Sequence, residues 1–363
     1  MIKELDILHF RNLYQQKIQF SPGLNIFIGQ NGQGKTNLLE AVFYLLTGKS
    51  YRVQKESELI RWGETAFKLN GLFEMNQQSI HLESIYLDKK KIIKVNGIAC
   101  RRLSAFIGLI NVIFFSPNDV LIVKDTPGKR RLFIDTHIIQ IKPSYVGILN
   151  AYNRIIAQKN SLLRREANGK KIHDQLELWN EELLKYGSEI LKLRHEFIFQ
   201  LKDVAIKLYQ QISSDSEIMD MQYTPLGYHD IHAAVEEFPV LLRKKMGAEI
   251  ERQMVLVGPH RDDIEIMLNK RNSRMFASQG QQRSLILALK LAQLEVIKHE
   301  KGEYPLLLLD DVLSELDMYR RRYLIRFIED SAIQTLMTNA IEEKDCVSGA
   351  AYLVEQGQVK TIG

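Results

Sequence analysis

The sequence predicts an α/β fold interrupted by a helical insertion, and three observations lead to this prediction. A strand-like segment, Leu24–Ile28, is followed by a glycine-rich loop and by Asn37–Leu46, whose apolar periodicity is typical of a helix. Much later, Leu306–Leu309 is a short run of leucines that suits a strand buried on both faces of a mostly parallel sheet. Between them, residues 144–212 carry the seven-residue spacing of apolar side chains found on long helices.

The N-terminal part, residues 1–143, is expected to combine the first portion of this α/β fold with antiparallel strands. Ile2–Phe10 opens the chain as a strand. Further strands are predicted at Ala66–Phe73, Ile80–Leu87 and Lys91–Val95, and the turn 88–90 joins the last two. Strands joined by so short a turn pair antiparallel, so we expect an antiparallel β lobe here.

The middle part, residues 144–250, is expected to be a helical lobe or a short arm. One set of apolar residues recurs every seven positions: Leu176, Leu183, Ile190, Phe197 and Val204. A second set, Trp179, Tyr186 and Leu193, lies three residues further along the chain from members of the first set. Leu149, Ile156 and Leu163 share the spacing, and Ala167-Asn168-Gly169 suits a turn. An antiparallel helical pair and a plain helical bundle both fit this pattern. Residues 251–363 return to α/β character.

The composition narrows the class of protein but does not identify its function. The 363 residues include 49 Lys and Arg against 44 Asp and Glu, a net charge of +5 that permits nucleic-acid binding and suits an ordinary enzyme equally well. Cys100 and Cys346 form no CxxC pair, which favours a reduced, intracellular compartment. The apolar runs are too short to span a membrane, so we expect a cytoplasmic protein with no membrane partner.

The most specific motif is the glycine-rich segment between the strand Leu24–Ile28 and the helix that follows it. It matches G-x-x-x-x-G-K-[ST], and its residues are Gly29, Gln30, Asn31, Gly32, Gln33, Gly34, Lys35 and Thr36. Glycines let backbone N–H groups approach a polyphosphate closely, and the following helix adds its positive N-terminal end. Lys35 is expected to reach the β- and γ-phosphates, and the Thr36 hydroxyl to bind Mg²⁺. The motif therefore predicts an ATP site in which Lys35 has a catalytic role.

Asp310 and Asp311 follow the leucine run and complete this prediction. A buried strand would deliver Asp310 to the carboxyl edge of the sheet, where it could hold Mg²⁺, while Asp311 could polarise the attacking water. A pair of helix-capping aspartates is the alternative, since Asp is common at such positions.

Two further motifs resemble those of ABC-type ATPases. Ser278-Gln279-Gly280-Gln281-Gln282 precedes a helix predicted at Arg283–Ile297 and is similar to the ABC signature loop, although Gln279 replaces its first glycine. A serine helix cap explains the segment alone equally well. Ser314-Glu315-Leu316-Asp317 resembles the D-loop. The resemblance implies an ATP-dependent homodimer, in which Ser278, Gly280 and Gln281 of one copy meet the ATP held by the other.

Within this superfamily, the chain resembles SMC heads and, more closely, the RecF family of recombination mediators. The matching segments are Asn31–Glu40, Phe115–Asp135, Gly258–Asp263 and Leu308–Leu324, with Phe10-Arg11-Asn12 at the start. The resemblance implies slow, DNA-stimulated ATP hydrolysis by a dimer that closes on duplex DNA at single-strand gaps. It also implies action with RecR and RecO to help RecA replace single-strand-binding protein, in DNA repair, replication-fork maintenance and the SOS response.

The sequence departs from these families at several positions. Asn118 and Asp125-Thr126 are unusual within the RecF-like segments. Thr338-Asn339 follows the predicted strand Thr335–Met337, where ABC proteins carry a switch histidine, and Asn339 is a candidate γ-phosphate sensor. Asp311 replaces the longer glutamate common in transporters, and its shorter reach suggests slow hydrolysis.

Other basic residues leave both a functional and a structural interpretation open. Arg52 resembles an arginine that SMC-like heads present near nucleotide or DNA, but an exposed surface arginine fits equally well. Arg130-Arg131 and His260-Arg261 could stabilise packing rather than touch a ligand. The turn Lys89-Lys90-Lys91 could contact DNA phosphates, although a solvated hairpin tip is the simpler interpretation.

Two other functional classes remain compatible with the phosphate-binding loop. An SMC-like chromosome-structural head would need a much longer coiled-coil arm than residues 144–212 provide. A P-loop kinase of a small molecule would need no signature loop, so Ser278 would be dispensable in it.

Overall fold

The computed structural model describes residues 1–75, 77–165, 171–214, 216–339 and 349–362. The strands, in chain order, are β1 Ile2–Phe10, β2 Leu13–Gln19, β3 Leu24–Ile28, β4 Ala66–Met75, β5 Gln78–Leu87, β6 Lys90–Val95, β7 Ile98–Ala99, β8 Val112–Phe115, β9 Met219–Thr224, β10 Asp263–Leu268, β11 Arg271–Asn272, β12 Leu306–Asp310, β13 Thr335–Asn339, β14 Ala350–Glu355 and β15 Gln358–Ile362. The α-helices are α1 Lys35–Thr47, α2 Leu121–Lys124, α3 Pro127–Ile141, α4 Tyr145–Arg165, α5 Lys171–Ser213, α6 Ile231–Arg252, α7 Ser273–Phe276, α8 Gln279–Lys301 and α9 Met318–Asp330.

The chain forms two compact units, one of residues 1–119 and 293–363 and one of residues 120–292. These limits differ from the three-part division expected at 143 and 250. The difference arises because α3, β9 and β10 pack with α5 and with one another, so they group with the helices rather than with the flanking α/β parts. The helical unit consequently begins before residue 144 and extends beyond residue 250.

The first unit contains a six-stranded mixed sheet that sets the position of the candidate site. Its strand order is β15-β14-β3-β13-β12-β8, and only the β14–β15 pair is antiparallel among the pairs described. Every residue of β3, β12 and β13 is buried, as expected for strands covered on both faces. Because parallel strands end at the same edge, the carboxyl ends of β3, β13 and β12 lie side by side.

A second sheet of the same unit is antiparallel, with the order β2-β1-β4-β5-β6-β7. It confirms the predicted β lobe, and its β5–β6 turn places Asp88 and Lys89 at positive φ, as tight hairpins require. Helix α1 packs between the two sheets: Leu39 and Leu45 share one apolar core with Phe67 of β4 and Leu308 of β12. At Gly71 a Cβ would lie 2.7 Å from the Leu45 side chain, so helix and strand approach closely there.

The second unit is built around α5, which packs against α3, α4, α6 and β9. Leu176, Leu183 and Ile190 are fully buried, so the seven-residue stripe faces the interior of this unit. Lys159 of α4 bonds Asn180 of α5, at 2.5 Å. Contacts on so many sides describe a helical lobe rather than a projecting arm. The turn predicted at 167–169 lies outside the described residues.

Strands β9, β10 and β11 form a small antiparallel sheet in this unit. No helix within the described part of the chain is long and apolar enough to cross a membrane.

Candidate nucleotide site and related motifs

The glycine-rich segment forms the connection between β3 and α1, as predicted. Gly32 and Gly34 have φ values of 81° and 115°, which side-chain-bearing residues rarely adopt. At Gly29 a Cβ would lie 2.3 Å from the carbonyl oxygen of Val354, so that position admits only glycine. Gln30 and Asn31 are exposed, whereas Gln33 accepts a 2.9 Å hydrogen bond from the N–H of Gly357 through its carbonyl oxygen. The loop therefore has the close backbone approach that a polyphosphate cradle requires.

Lys35 is the first residue of α1, and its side chain lies over the loop. The Nζ donates to the carbonyl oxygens of Gly29 and Gln30, the latter at 3.1 Å. Burial lowers the pKa of Lys35, and the negative charges of Asp311 and Asp310 oppose this change. The Lys35 ammonium group thus lies close to the phosphate-binding loop and to the two aspartates.

Asp310 joins the loop to the carboxyl edge of the sheet. Its Oδ1 accepts hydrogen bonds from the Thr36 hydroxyl at 2.8 Å and from the Thr338 hydroxyl at 3.0 Å. Burial raises the pKa of Asp310, whereas the two hydroxyl donors lower it. A hydroxyl and a carboxylate so close together supply the hard oxygen ligands that Mg²⁺ prefers. The residues present therefore fit the predicted metal site.

Asp311 differs from Asp310 in backbone and exposure. It is exposed and has a φ of 53°, in the left-handed region that costs energy for a residue with a side chain. Its N–H donates to the Thr338 hydroxyl at 2.8 Å, and its carbonyl oxygen accepts from the Ser314 hydroxyl at 2.8 Å. Asp311 is thus not a helix N-cap, and its hydrogen bonds with Thr338 and Ser314 stabilise its unusual conformation.

Thr338 is a site residue that the sequence did not identify as such. It lies on β13, which separates β3 from β12, and it pairs in register with Asp310. The neighbouring Asn339 is buried and pairs with Ile28 at the end of β3. Its role as a γ-phosphate sensor stays a prediction.

Beside the loop lies a cleft of about 560 Å³ that the sequence also did not reveal; its lining includes Arg11, Asn12, Asn37, Arg52, Arg61 and Trp62. Asn12 connects the two regions, because a Cβ on Gly34 would come within 2.8 Å of its Oδ1. Asn37 donates to the same Oδ1 at 2.9 Å. Trp62 is 98% exposed, an unusual state for so large an apolar side chain. The cleft combines guanidinium groups with an aromatic ring.

The signature-like segment lies in the second unit, at the start of α8. Ser278 and Gln281 form a reciprocal cap: the Gln281 N–H donates to the Ser278 hydroxyl at 3.3 Å, and the Ser278 N–H donates to the Gln281 Oε1 at 2.7 Å. Gln281 also donates to Glu217, at 2.5 Å. Ser278 and Gln279 are exposed, and Gly280 is half-buried. The helix-cap interpretation is therefore correct locally, and a contact with a second copy stays a prediction.

The D-loop-like segment lies in the first unit and leads into α9. Asp317 caps that helix by accepting a 2.9 Å bond from the Arg320 N–H. Ser314 contacts the Asp311 carbonyl, as described above, so this segment and the second aspartate are linked directly.

The basic pairs of the RecF-like segments make structural contacts within the second unit. Arg130 forms a two-pronged ion pair with Asp263, at 2.7 and 2.9 Å, and Arg131 donates to the Asp262 carbonyl oxygen at 2.5 Å. The His260 ring lies 2.6 Å from the Tyr152 hydroxyl, and burial lowers the pKa of His260 to about 4. These contacts support the packing interpretation.

At the hairpin, the three lysines differ. Lys91 donates to the Gly48 carbonyl oxygen at 2.8 Å and to Glu56, so it has a structural role. Lys89 and Lys90 are exposed.

Comparison with known proteins agrees with this arrangement. Residues 1–356 match the family described as the RecF/RecN/SMC N terminal domain. The chain is 52% identical to the DNA replication and repair protein RecF of Desulfitobacterium hafniense, and the match covers 99% of each chain. It is 41% identical to the protein of the same name from Natranaerobius thermophilus, over 94% of this chain and 92% of the relative.

Solved structures extend the comparison to the fold. A structure of the recombination mediator protein RecF-ATP in the RecFOR pathway superposes with a TM-score of 0.91 at 34% identity, covering 100% of this chain and 97% of that one. An SMC head bound to the winged-helix domain of ScpA gives a TM-score of 0.60 at 15% identity, over 99% of this chain and 96% of the other, a likeness of fold alone. These matches confirm the predicted fold, an ABC/SMC-type ATPase head with an antiparallel β lobe and a helical insertion. The chain belongs to the RecF family.

Proposed function

We propose that this chain is an ATP-binding and ATP-hydrolysing DNA-repair protein that works with Mg²⁺ in the cytoplasm. The observation that carries the proposal is the 2.8 Å hydrogen bond between Thr36 and Asp310, which joins the phosphate-binding loop to the carboxyl edge of the sheet. The loop N–H groups and Lys35 bind the phosphates. Thr36 and Asp310 hold Mg²⁺, which supplies positive charge to the β- and γ-phosphates. Asp311 orients the attacking water.

The proposal includes an ATP-dependent homodimer with two shared sites. Ser278 and Gln279 are exposed at the start of a helix, whose positive N-terminal end favours an anion. The order of motifs along the chain resembles that of ABC ATPases, in which one copy's signature closes over the ATP of the other. In this arrangement Ser278, Gly280 and Gln281 contact the γ-phosphate that the partner copy's loop holds.

DNA is the proposed binding partner, and ATP hydrolysis is the step proposed to release the protein from it. Similarity to RecF of Desulfitobacterium hafniense, a DNA replication and repair protein, supports this. We propose that the ATP-bound dimer binds duplex DNA at single-strand gaps, acts with RecR and RecO, and helps RecA replace single-strand-binding protein. Slow, DNA-stimulated hydrolysis would then end each binding event and support replication-fork maintenance and the SOS response.

Mixing two inactive variants tests the shared site directly. Lys35→Met removes the phosphate-binding ammonium group, and Ser278→Arg blocks the signature. In their heterodimer one site unites both lesions, whereas the other unites an intact loop with an intact signature. Steady-state ATPase activity should therefore partly recover across mixing ratios with gapped DNA present, provided that one site can act alone.

The matched control mixes the Lys35→Met/Ser278→Arg double variant with wild-type chain. Each hybrid site then carries one lesion, so activity should not exceed that of the remaining wild-type homodimers. A small-molecule kinase with a self-contained site predicts that Ser278→Arg alone stays fully active, and this result would refute the composite site.

DNA binding has its own test. Contacts to phosphates predict that log affinity falls linearly with log salt concentration and depends little on base sequence. Affinities measured by fluorescence anisotropy on equal-length duplexes should therefore agree within about 1 kcal/mol, the low end of the cost of a single base-specific contact. A much larger spread would contradict recognition by shape and charge.

A further inference from the structure

Glu40 is a fully buried carboxylate on α1, and it accepts hydrogen bonds from two arginines. Its two oxygens each receive one N–H of Arg11, at 3.0 Å. The Ser50 hydroxyl donates at 2.5 Å and Arg52 donates through Nη1 at 3.3 Å. A buried carboxylate is costly unless it is paired and hydrogen-bonded, and this set of donors supplies both kinds of contact to Glu40.

Both arginines that Glu40 holds line the cleft beside the phosphate-binding loop. Arg11 donates a further bond to the Glu58 carbonyl oxygen at 2.9 Å. Arg52 is 43% exposed, and its Nη1 also donates to Asn37 at 2.7 Å. One carboxylate on the helix that follows the loop therefore sets the direction of two guanidinium groups in the cleft wall.

The charge of the cleft wall is suited to an anion. Arg11, Arg52 and Arg61 contribute three positive charges, and Glu58 contributes one negative charge. Glu40 does not line the cleft, so it directs the arginines without presenting its own charge to a ligand. Long side chains that are ordered before binding lose less conformational entropy when the ligand arrives.

We propose that Glu40 is a positioning residue that orders Arg11 and Arg52 for the negatively charged part of the bound nucleotide. This inference rests on the proposed ATP site and adds a role for a residue that need not touch the ligand. Asn37 extends the same network, since it bonds both Arg52 and Asn12, and the Asn12 side chain lies in the space that a Cβ on Gly34 of the loop would need. Ordering of the arginines is thereby linked to the loop itself.

Glu40→Gln separates positioning from simple electrostatics, because the two predict opposite signs. Removing a negative charge near a phosphate site should strengthen ATP binding if only long-range charge matters. If Glu40 positions the arginines, its loss should weaken ATP binding roughly five- to a hundredfold, the cost of ordering two long side chains on binding. Equilibrium titration of the full chain with a fluorescent ATP analogue and Mg²⁺ measures the difference.

Glu58→Gln is the matched control. It removes one negative charge from the cleft wall itself, and in the described part of the chain the Glu58 carboxylate has no hydrogen bond or ion pair. Its ATP affinity should equal or exceed that of the wild-type chain. A Glu40→Gln variant that keeps the wild-type melting temperature and binds ATP as tightly as, or more tightly than, the wild-type chain would overturn the inference.

Arg52 supplies a second test that does not disturb a buried group. Arg52→Lys keeps the positive charge but loses the planar guanidinium, so positioning predicts weaker ATP binding for this variant as well. Combining Arg52→Gln with Glu40→Gln should cost less than the sum of the single effects, because both act on the same group. Additive costs would refute the coupling. Absence of ATP binding by the wild-type chain would instead remove the proposed function, and this inference with it.

Discussion

Thr338→Val removes one hydroxyl from β13 while keeping the shape of the side chain. That hydroxyl donates to Asp310 at 3.0 Å and accepts from the Asp311 N–H at 2.8 Å. A hydrogen bond to a charged group contributes about 1.5–3 kcal/mol, and a neutral one about 0.5–1.5 kcal/mol. Water can replace part of the second bond because Asp311 is exposed. We therefore expect a loss of about 1.5–4 kcal/mol in the ordering of the two aspartates.

This loss should appear in hydrolysis rather than in ATP binding. Thr338 contacts both aspartates, whereas the loop and Lys35 are the groups proposed to hold the phosphates. The expected effect is a kcat that falls roughly ten- to several-hundredfold, since about 1.4 kcal/mol corresponds to a factor of ten. Single-turnover hydrolysis measures this step, and equilibrium binding of labelled ATP should change by less than about threefold, under 1 kcal/mol.

Thr335→Val is the matched control for this prediction. Thr335 lies at the other end of β13, is fully buried, and donates its hydroxyl to the Ile333 carbonyl oxygen at 3.1 Å. The same substitution there should lower stability without a selective loss of kcat. A Thr338→Val variant that hydrolyses ATP at the wild-type rate would refute the assignment of Thr338, and so would an equal loss in Thr335→Val.

Three further predictions concern separate parts of the chain. Asp311→Asn should bind ATP normally but lose at least about a hundredfold in single-turnover hydrolysis, the low end for removal of a general base, and a wild-type rate would exclude that role. Lys159→Met should lower the free energy of unfolding by about 3–5 kcal/mol because it removes the ion-pair partner of the buried Glu249 carboxylate. Denaturant titration measures this loss, and the double variant Lys159→Met/Glu249→Met should recover much of it. His260, with a pKa lowered to about 4, binds a proton in the unfolded chain near pH 6.5 but not in the folded one. Stability should therefore fall by up to about 3 kcal/mol as pH drops from 6.5 towards 4, and a His260→Gln variant with an unchanged pH profile would contradict this cause.

Local sequence patterns were sufficient to predict the strands and the helix next to the phosphate-binding loop. Strands β1 and β3 have the predicted limits, and α1 extends the predicted helix by a few residues, because loop glycines and apolar periodicity mark their ends. Strands β9 and β10 carry a comparable signal, the alternating apolar residues Met219, Met221 and Tyr223 in β9 and Ile264 and Ile266 in β10.

The rest of the candidate site depends on strand order, which local patterns do not encode. Thr338 meets Asp310 because β13 lies between β3 and β12, although the two residues are far apart in sequence. Arg11, Arg52 and Arg61 reach one cleft from three separate segments. Strand β2 likewise has little apolar character of its own, with most of its residues exposed or half-buried, and forms through pairing with β1.

Ser278 allows the two interpretations of the signature segment to be separated, since its hydroxyl caps α8. Ser278→Arg removes that cap, which costs about 1 kcal/mol, so its loss of activity could reflect a frayed helix. Aspartate is as good a cap as serine, but it adds a negative charge at the helix start. If a phosphate held by a second copy meets this point, Ser278→Asp should keep the wild-type melting temperature and the ATP affinity of the single chain, yet lose ATP-dependent dimerisation and hydrolysis through charge repulsion. Ser278→Asn, a neutral cap of similar size, should retain more of both. Light scattering and ATPase assays on the two variants decide the matter: a fully active Ser278→Asp chain would mean that Ser278 is a helix cap and nothing more.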